Sequence, residues 1–113
     1  GYTYEGGWAN GQREGEGIAR YSDGTVYEGG FVGGKRAGTG SIKMADGFSY
    51  AGEWKDGEID GMGTATYANG DVYEGMFVRG KRQGEGTIRY ASGEERSGVW
   101  EDGTLTDDNS DSN

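Results

Sequence analysis

A repeat of 23 residues constrains the fold of this chain more than any other feature of its sequence. Four units open with a tyrosine, at Tyr4, Tyr27, Tyr50 and Tyr73, and a partial fifth opens at Arg96. Each of the four full units carries glycine at positions 3, 8, 12 and 14, counted from its opening residue, and an aromatic residue at position 5. A fixed period of roughly 20 to 50 residues is typical of a repeat array, in which neighbouring units stabilise one another.

The alternation of side chains within a unit predicts two β-strands. Positions 1, 3 and 5 place two aromatic rings, and the glycine between them, on one face of a short strand. Positions 14, 16 and 18, which are Gly17, Ala19 and Tyr21 in the first unit, place the apolar residues of a second strand on one face. Glycine at positions 8 and 12 suits a hairpin loop between the strands, because such a loop needs positive φ angles. We therefore predict an all-β fold, a continuous antiparallel ribbon of β-hairpins.

Pairing position 5 with position 14 sets the predicted register within each hairpin. It places Trp8 opposite Gly17, with the corresponding pairs in the other units, so that each ring covers bare backbone. It also places position 2 opposite position 17, which pairs Glu5 with Arg20 on the outer face and a glutamate with a cation in two other units. The third unit lacks both charges, and this matched loss favours the register.

Turns between the units are predicted at four dipeptides, which are Asp23-Gly24, Asp46-Gly47, Asn69-Gly70 and Ser92-Gly93. If Tyr21 and Tyr27 meet on the inner face, an odd number of residues must separate them, and five do. This spacing is consistent with a three-residue loop that carries glycine in the left-handed region.

These residues closely resemble the MORN (membrane occupation and recognition nexus) repeat. The resemblance rests on Tyr-x-Gly-x-aromatic, then glycine at positions 8, 12 and 14 and Asp-Gly or Asn-Gly at positions 20 and 21, over about residues 4 to 103. The third unit departs from the pattern at Ala51, Glu58 and Ile59. The resemblance implies an elongated, twisted, single-layer antiparallel sheet, a solenoid-like array with a concave aromatic face. It also implies scaffolding, self-association or docking of peptides and helices, with membrane or phosphoinositide attachment in some members.

Composition and charge exclude several classes of protein. With 31% hydrophobic residues and 26 glycines among 113 residues, the chain cannot bury a large central core. It has no cysteine, so it forms no disulfide and has no thiol chemistry. Five of the twenty acidic residues follow Trp100, the last aromatic residue, which leaves fifteen against eleven basic residues in the array. A mildly acidic array disfavours unassisted binding to nucleic acid or to an anionic membrane, because both need clustered positive charge.

The predicted boundaries place the repeat array at residues 1–105 and an acidic disordered tail at residues 106–113. Gly1, Tyr2 and Thr3 align with the end of a unit, so a longer array stays open as an alternative. No signal peptide or transmembrane segment is visible in the chain. The sequence does not determine the compartment, and a cytoplasmic location is preferred.

The aromatic residues at positions 1 and 5 are the first candidate site, and they allow two interpretations. In one, the rings of a thin sheet pack against one another as its core. In the other, part of this face stays uncovered and lines a groove for a partner protein or peptide. The candidate protein-binding residues are Tyr4, Trp8, Tyr27, Phe31, Met44, Tyr50, Trp54, Tyr73 and Phe77.

Basic residues at positions 9 and 10 of the second and fourth units are the second candidate site. They form either a solvated row or a strip that binds phospholipid headgroups. The candidate headgroup-binding residues are Lys35, Arg36, Lys81 and Arg82. Glu58 interrupts the row in the third unit, which weakens the headgroup interpretation. Gly29 and Gly34 precede Lys35 at the spacing of a phosphate loop, but Arg36 stands where that loop needs a hydroxyl.

The sequence offers little for catalysis or for metal and cofactor binding. Without histidine and cysteine, Ser-His and Cys-His nucleophiles and the usual zinc sites are impossible. The glutamates at position 2 are predicted to face solvent beside cations, which keeps them ionised and unsuited to acid catalysis. The sequence thus predicts a non-catalytic scaffold without metal or cofactor. We expect this scaffold to bind another protein, or itself as a homodimer, through the aromatic face and the terminal edge strands. The alternative is an adaptor that binds phospholipid headgroups through the basic residues.

Overall fold

The chain folds into one antiparallel sheet of ten strands, as shown by a computed structural model that describes residues 1–108. The strands are β1 (Thr3–Ala9), β2 (Gln12–Arg20), β3 (Val26–Val32), β4 (Lys35–Lys43), β5 (Ser49–Lys55), β6 (Glu58–Thr66), β7 (Val72–Val78), β8 (Lys81–Arg89), β9 (Glu95–Glu101) and β10 (Thr104–Asp108). Their order in the sheet follows the chain, so each strand pairs with its neighbours in sequence. The predicted all-β array of hairpins is therefore confirmed.

The sheet is elongated because every unit adds its two strands at the same end. Its principal extents are 56 × 23 × 17 Å, and its radius of gyration is 15.7 Å, against about 13 Å for a compact domain of this length. Positions 1, 3 and 5 of each first strand and positions 14, 16 and 18 of each second strand share one side, which we call the aromatic face. This face holds the buried side chains, and the opposite face carries mainly exposed or half-buried ones.

A two-residue turn at positions 7 and 8 joins the two strands of each unit. Position 8 is always glycine, and position 7 is occupied by Asn10, Gly33, Asp56, Arg79 and, in the fifth unit, Asp102. Both positions have positive φ, with 53° at Asn10 and 77° at Gly11. Two successive positive φ angles are typical of the tight hairpin turn whose twist matches that of the strands. The second strand therefore begins at position 9, and the glycine at position 12 lies inside it rather than in the loop.

A bulge in the second strand sets the register of each hairpin, and this register differs from the predicted one. In the first unit Gly6 lies opposite Gly17. The next pair is Trp8 with Arg13, so one residue of β1 faces three residues of β2. The glycine at position 12 sits within this bulge, with a φ of 84° at Gly15 that favours glycine. After the bulge, position 3, and not position 5, lies opposite position 14 in all four full units.

Tyrosine at position 1, rather than the aromatic residue at position 5, covers the glycine at position 14. A Cβ atom on Gly40 would lie 2.6 Å from Cζ of Tyr27, and the same relation holds in the other three full units. The sequence correctly indicates that a ring lies over bare backbone. It names the wrong ring, because the tight turn at positions 7 and 8 places the observed register two residues away from the predicted one.

The predicted charge pairs on the opposite face change with the register. Glu5 lies opposite Ile18 and reaches Arg20 diagonally, with 3.5 Å between carboxylate and guanidinium. Arg89 instead pairs with Glu95, the first residue of β9, at 3.4 Å. All four of these charged side chains are more than half exposed, so each pair contributes at most about 1 kcal/mol. Direct cross-strand pairing therefore does not explain why the third unit lacks both charges.

Three-residue turns join the units, as predicted. In the first of them the backbone N–H of Tyr21 donates to the carbonyl oxygen of Thr25 at 2.8 Å, and Gly24 has a φ of 95°. Tyr21 does not meet Tyr27, however, because Ala19 is the residue opposite Tyr27. The predicted contact between Tyr21 and Tyr27 is therefore wrong.

The array extends beyond the predicted boundary at residue 105. The sequence predicts one strand for the fifth unit, but β9 and β10 form a complete hairpin in which Asp108 lies opposite Gly98. Backbone hydrogen bonds can extend a sheet without the apolar pattern that marks the other second strands. Residues 109–113, the rest of the predicted acidic tail, lie outside the described residues.

We expect Gly40→Ala to lower the free energy of unfolding by about 1–3 kcal/mol, a typical cost of overpacking. The new Cβ would overlap the ring of Tyr27, which is 0% exposed and has no room to move aside. Ser41→Ala is the control, since Ser41 is the exposed next residue, and we expect a change within about 0.5 kcal/mol. Urea unfolding followed by circular dichroism measures both. Equal effects of the two substitutions would contradict the packing of Tyr27 over Gly40.

Candidate functional site

An unbroken chain of aromatic contacts runs along the aromatic face. Each ring at position 5 of the second to fifth units packs against the tyrosine of the preceding unit, and in every full unit it also packs against its own tyrosine. The ring centroids are 5.1–5.4 Å apart and the ring planes meet at 80–89°, the edge-to-face arrangement that aromatic pairs favour. The nine rings follow in the order Trp8, Tyr4, Phe31, Tyr27, Trp54, Tyr50, Phe77, Tyr73 and Trp100.

Burial divides the predicted protein-binding residues into core and surface. Six of them are at most 6% exposed, namely Tyr27, Phe31, Tyr50, Trp54, Tyr73 and Phe77. Tyr4 is half-buried, Met44 is 39% exposed beside a turn between units, and Trp8 is 61% exposed. The predicted groove along this face is therefore filled by its own rings, which must cover one another in a sheet of a single layer. The most exposed ring of the aromatic chain is that of Trp8.

The tyrosines at position 1 are held by both hydrogen bonds and burial. Each hydroxyl donates to the carbonyl oxygen of position 4 in its own strand, at 2.9–3.1 Å. Burial raises the pKa of Tyr27 and of Tyr50 to about 12, because the phenolate form would lose its hydration. Burial also raises the pKa of Tyr73. The neutral hydroxyl is therefore the form that the folded array requires.

Tryptophan at position 5 adds a hydrogen bond between units. The Nε1–H group of Trp54 donates to the carbonyl oxygen of Gly40 at 2.9 Å, and that of Trp100 donates to Gly86 at 3.2 Å. In both cases the acceptor is the position-14 glycine of the preceding strand. Trp8 lies on β1, at the edge of the sheet, and none of the described strands lies on its outer side. Among residues 1–108, the indole ring of Trp8 and the outer edge of β1 are thus uncovered together.

Arginine at position 10 joins its unit to the next one. The guanidinium of Arg36 lies 5.0 Å from the ring centroid of Trp54 and donates to the carbonyl oxygen of Gly57 at 3.1 Å. Arg82 and Arg13 make the same pair of contacts with the fifth and second units. A guanidinium stacked on an aromatic ring contributes about 0.5–2 kcal/mol, depending on how far it is desolvated.

This role of the arginines changes the interpretation of the predicted headgroup-binding residues. Arg36 and Arg82 are half-buried and use their guanidiniums within the array. Lys35 and Lys81 are exposed. The sequence cannot reveal this division, because the ring that each arginine contacts belongs to the next unit. The four residues therefore do not form one accessible strip of cations.

Hydrogen bonds from the hairpin tip complete each junction between units. The backbone N–H of position 8 donates to the carbonyl oxygen of position 10 in the preceding unit, at 2.8–3.0 Å, at all four junctions. Side-chain oxygens at position 11 accept the N–H of position 7 in the next unit at three junctions, from Glu14, Asp60 and Gln83. Ala37 occupies this position in the second unit and has no such oxygen. The direction in which one unit follows another is therefore fixed by polar contacts as well as by rings.

The departures of the third unit from the repeat pattern have two structural consequences. Ile59 replaces the arginine of position 10 and packs against the core. On the opposite face Ala51 and Thr66 replace a long acidic and a long basic side chain, and they line a recess of about 530 Å³ together with Ser41 and Thr64. Sequence reasoning missed this recess. The signal was present in the loss of both long side chains from one unit.

Two kinds of site have no representative among residues 1–108. In that part of the chain no group of three or more acidic, histidine or cysteine side chains is arranged to hold a metal ion. No helix there is long and apolar enough to cross a membrane.

Successive hairpins, in which the tyrosine at position 1 lies over the glycine at position 14, define a class of all-β repeat protein. Each unit in this class is stabilised by packing against its neighbours. The MORN repeat family matches the chain over residues 4–26, 27–48, 50–72 and 73–95. The chain therefore belongs to the MORN repeat family, a family of repeat scaffolds that are generally non-catalytic and often involved in binding. The matched segments begin at the four tyrosines that open the full units. A comparison with curated proteins gives no match.

We expect the folded array to lose stability at alkaline pH. The pKa of Tyr27 and of Tyr50 is about 12 in the folded chain, against about 10 for an unfolded tyrosine. Their contribution to stability is thus fully present below about pH 10 and is lost as the pH rises through about 12. Melting temperature and phenolate absorbance, measured across this range, should change together. Ionisation of every tyrosine near pH 10 in a chain that keeps its circular dichroism spectrum would contradict this expectation.

We expect Arg36→Ala to lower the free energy of unfolding by about 1–2 kcal/mol, because it removes a stacked guanidinium and a hydrogen bond between units. Lys35→Ala is the matched control at the neighbouring, exposed position, and its effect should stay within about 0.5 kcal/mol. Urea unfolding measures both variants. If Arg36→Ala were as stable as Lys35→Ala, the arginine would have no structural role at the junction.

Proposed function

We propose that this protein is a non-catalytic scaffold that binds a β-strand of another protein, or of a second copy, along the outer edge of β1. The observation that carries this proposal is the exposure of Trp8, which is 61% exposed, whereas the position-5 rings of the other units are at most 6% exposed. An edge strand presents a row of unpaired backbone N–H and C=O groups that can pair with a further strand. A large aromatic residue beside such an edge is typical of the residues that dominate binding energy.

The junctions inside the array indicate which strand fits this edge. At each junction the first strand of a unit pairs with the preceding strand so that the glycine at position 3 lies opposite the glycine at position 14. At one of them Trp54 lies opposite Gly38 of β4 and donates its indole N–H to Gly40. A strand with two glycines spaced in this way leaves room for the ring of Trp8 and offers a carbonyl oxygen to its N–H group.

Charge and chemistry support protein binding over the alternatives. The net charge of the chain is −9, and two of the four candidate headgroup-binding residues are engaged within the array, so an anionic membrane is a poorer partner. The non-catalytic part of the proposal is supported by the absence of histidine and cysteine from the sequence and by the general character of the family.

A peptide with the sequence of β4, KRAGTGSIK, tests the proposal. We expect it to bind the chain saturably and to shift the tryptophan fluorescence, because Trp8 is the exposed tryptophan and Trp54 and Trp100 are buried. Trp8→Ala should abolish binding, which is measured by calorimetry because this variant lacks the fluorescent reporter. Val32→Ala is the matched control, since Val32 is 62% exposed but lies on the opposite face of β3.

A second peptide controls for the chemistry of the strand. Valine at the two places that correspond to Gly38 and Gly40 would fill the space for the indole ring, so this peptide should bind at least tenfold more weakly, a factor that corresponds to about 1.4 kcal/mol. The proposal fails if both peptides bind equally well, if neither binds, or if binding persists in Trp8→Ala.

A further inference from the structure

We propose that the sheet opens between β6 and β7, at the junction of the third and fourth units, and that the opened edge of β7 is a concealed site for a partner β-strand. The kind of partner rests on the proposed function, but the opening does not. In an array stabilised by contacts between neighbours, local unfolding begins at the junction with the fewest contacts. The backbone ladder pairs the same positions at all four junctions, so side-chain contacts decide which junction opens.

The junction between the third and fourth units lacks two kinds of contact that join other units. Ile59 occupies position 10, where the other three full units have an arginine that stacks on the next position-5 ring and donates to the next hairpin tip. Phe77 occupies position 5, where two other units have a tryptophan that donates to the preceding strand. Among residues 1–108, one side-chain hydrogen bond crosses this junction, from the backbone N–H of Arg79 to the carboxylate of Asp60 at 3.2 Å.

A single cation–π contact crosses this junction within residues 1–108, and it is a distant one. The guanidinium of Arg82 lies 5.8 Å from the ring centroid of Tyr67, against 4.6 Å from the ring of Trp100 in the fifth unit. Such an attraction extends to about 6 Å from the centroid. Arg82 is therefore bound more firmly to the fifth unit than to the third.

The fourth and fifth units are joined by additional polar contacts. The hydroxyl groups of Thr87 and Ser97 form a hydrogen bond of 2.8 Å between β8 and β9. Arg89 and Glu95 form an ion pair at 3.4 Å between the same strands, and the indole N–H of Trp100 donates to β8. The two units should therefore separate from the third unit as one block.

The turn between β6 and β7 divides at its middle. Tyr67 packs against Phe48, with ring centroids 5.5 Å apart, so it stays with the preceding part of the array. The carboxylate of Asp71 accepts the backbone N–H of Ala91 at 2.9 Å, in the turn that follows the fourth unit, so it stays with that unit. Residues 68–70 between them are exposed, and Gly70 has a φ of 98°. They form the hinge about which the two parts separate.

Opening uncovers an edge on β7 that resembles the edge of β1. Phe77 is 3% exposed in the closed array, where its ring packs against Tyr50 of the third unit. Once β6 has separated, this ring lies beside the unpaired N–H and C=O groups of β7, as Trp8 does on β1. In the closed array two glycines of β6, Gly61 and Gly63, face this edge. The partner that fits is a strand with two glycines spaced in this way, bound mainly through its backbone.

Native-state hydrogen exchange, measured by mass spectrometry, tests the opening. We expect the amides of β7, β8 and β9 to share one rate, about tenfold faster than that of β3–β5, with a step between β6 and β7. Ile59→Arg supplies a guanidinium for Phe77, as Arg13 does for Phe31, and should slow exchange in β7–β9 about fivefold or more. Met62→Arg is the matched control. It adds the same charge to β6 at a position that is 52% exposed on the opposite face, and it should change these rates less than about twofold.

Exchanging two residues should move the step without changing the composition. The double variant Arg36→Ile and Ile59→Arg keeps the net charge and transfers the missing guanidinium to the junction between the second and third units. We expect the step to move to the boundary between β4 and β5. One rate for all strands from β3 to β9, a step elsewhere in the parent chain, or equal effects of Ile59→Arg and Met62→Arg would overturn the opening.

A labelled peptide with the sequence of β6, EIDGMGTAT, tests the concealed site. Trp8→Ala is the background, because it removes the proposed site on β1. We expect saturable binding, measured by fluorescence anisotropy. Since the opened fraction alone binds, Ile59→Arg should weaken binding by the factor by which it slows exchange. A peptide with Gly61→Val and Gly63→Val is the chemical control and should bind at least about tenfold more weakly.

The opening, the concealed site and the proposed function can fail separately. If the exchange step is present but the β6 peptide does not bind, or binds equally well to Ile59→Arg, the concealed site is overturned and the opening stands. The exchange step does not depend on β1, so a β1 edge that binds no strand overturns the proposed function and leaves the opening in place.

Discussion

The edge-to-face contact between a position-1 tyrosine and the rings on either side of it is the interaction on which this structure depends. A sheet of one layer has no second layer to cover its apolar face, so its side chains must bury one another along the sheet. Aromatic rings suit this task because each can bury roughly 150–250 Å² and because edge-to-face pairs continue from ring to ring without a gap. Tyr27, Tyr50 and Tyr73 are consequently at most 1% exposed in a sheet whose smallest extent is 17 Å.

The same interaction explains why the first unit differs from the others. Each ring at position 5 has a tyrosine of its own unit on one side and, from the second unit onwards, a tyrosine of the preceding unit on the other. Trp8 has the first contact but not the second, so its ring remains accessible beside an unpaired strand edge. We propose that the contacts that stabilise a junction inside the array are also the contacts that bind a partner.

Much of the fold, and less of the candidate site, could be predicted from the sequence. Strand faces and turns follow from residues a few positions apart, so alternation and Asp-Gly dipeptides were sufficient to predict them. The role of Arg36 could not be predicted from the sequence, because its partners Trp54 and Gly57 belong to the next unit. The residues around Arg36 do not distinguish a stacked guanidinium from a solvated one. The recess beside Ala51 was likewise missed, since its walls come from two units.

The sequence by itself determined the period, the hairpins, their order and the face that carries the rings. Each of these follows from the spacing of residues along the chain. The tertiary structure alone decided the register within each hairpin, the burial of six predicted binding residues and the accessible end at Trp8. The register depends on a bulge at Gly15, where one residue of β1 faces three residues of β2, and this pairing joins residues of two different strands. Burial depends on the neighbouring unit, and a pattern within one unit does not show which of its rings a neighbour covers.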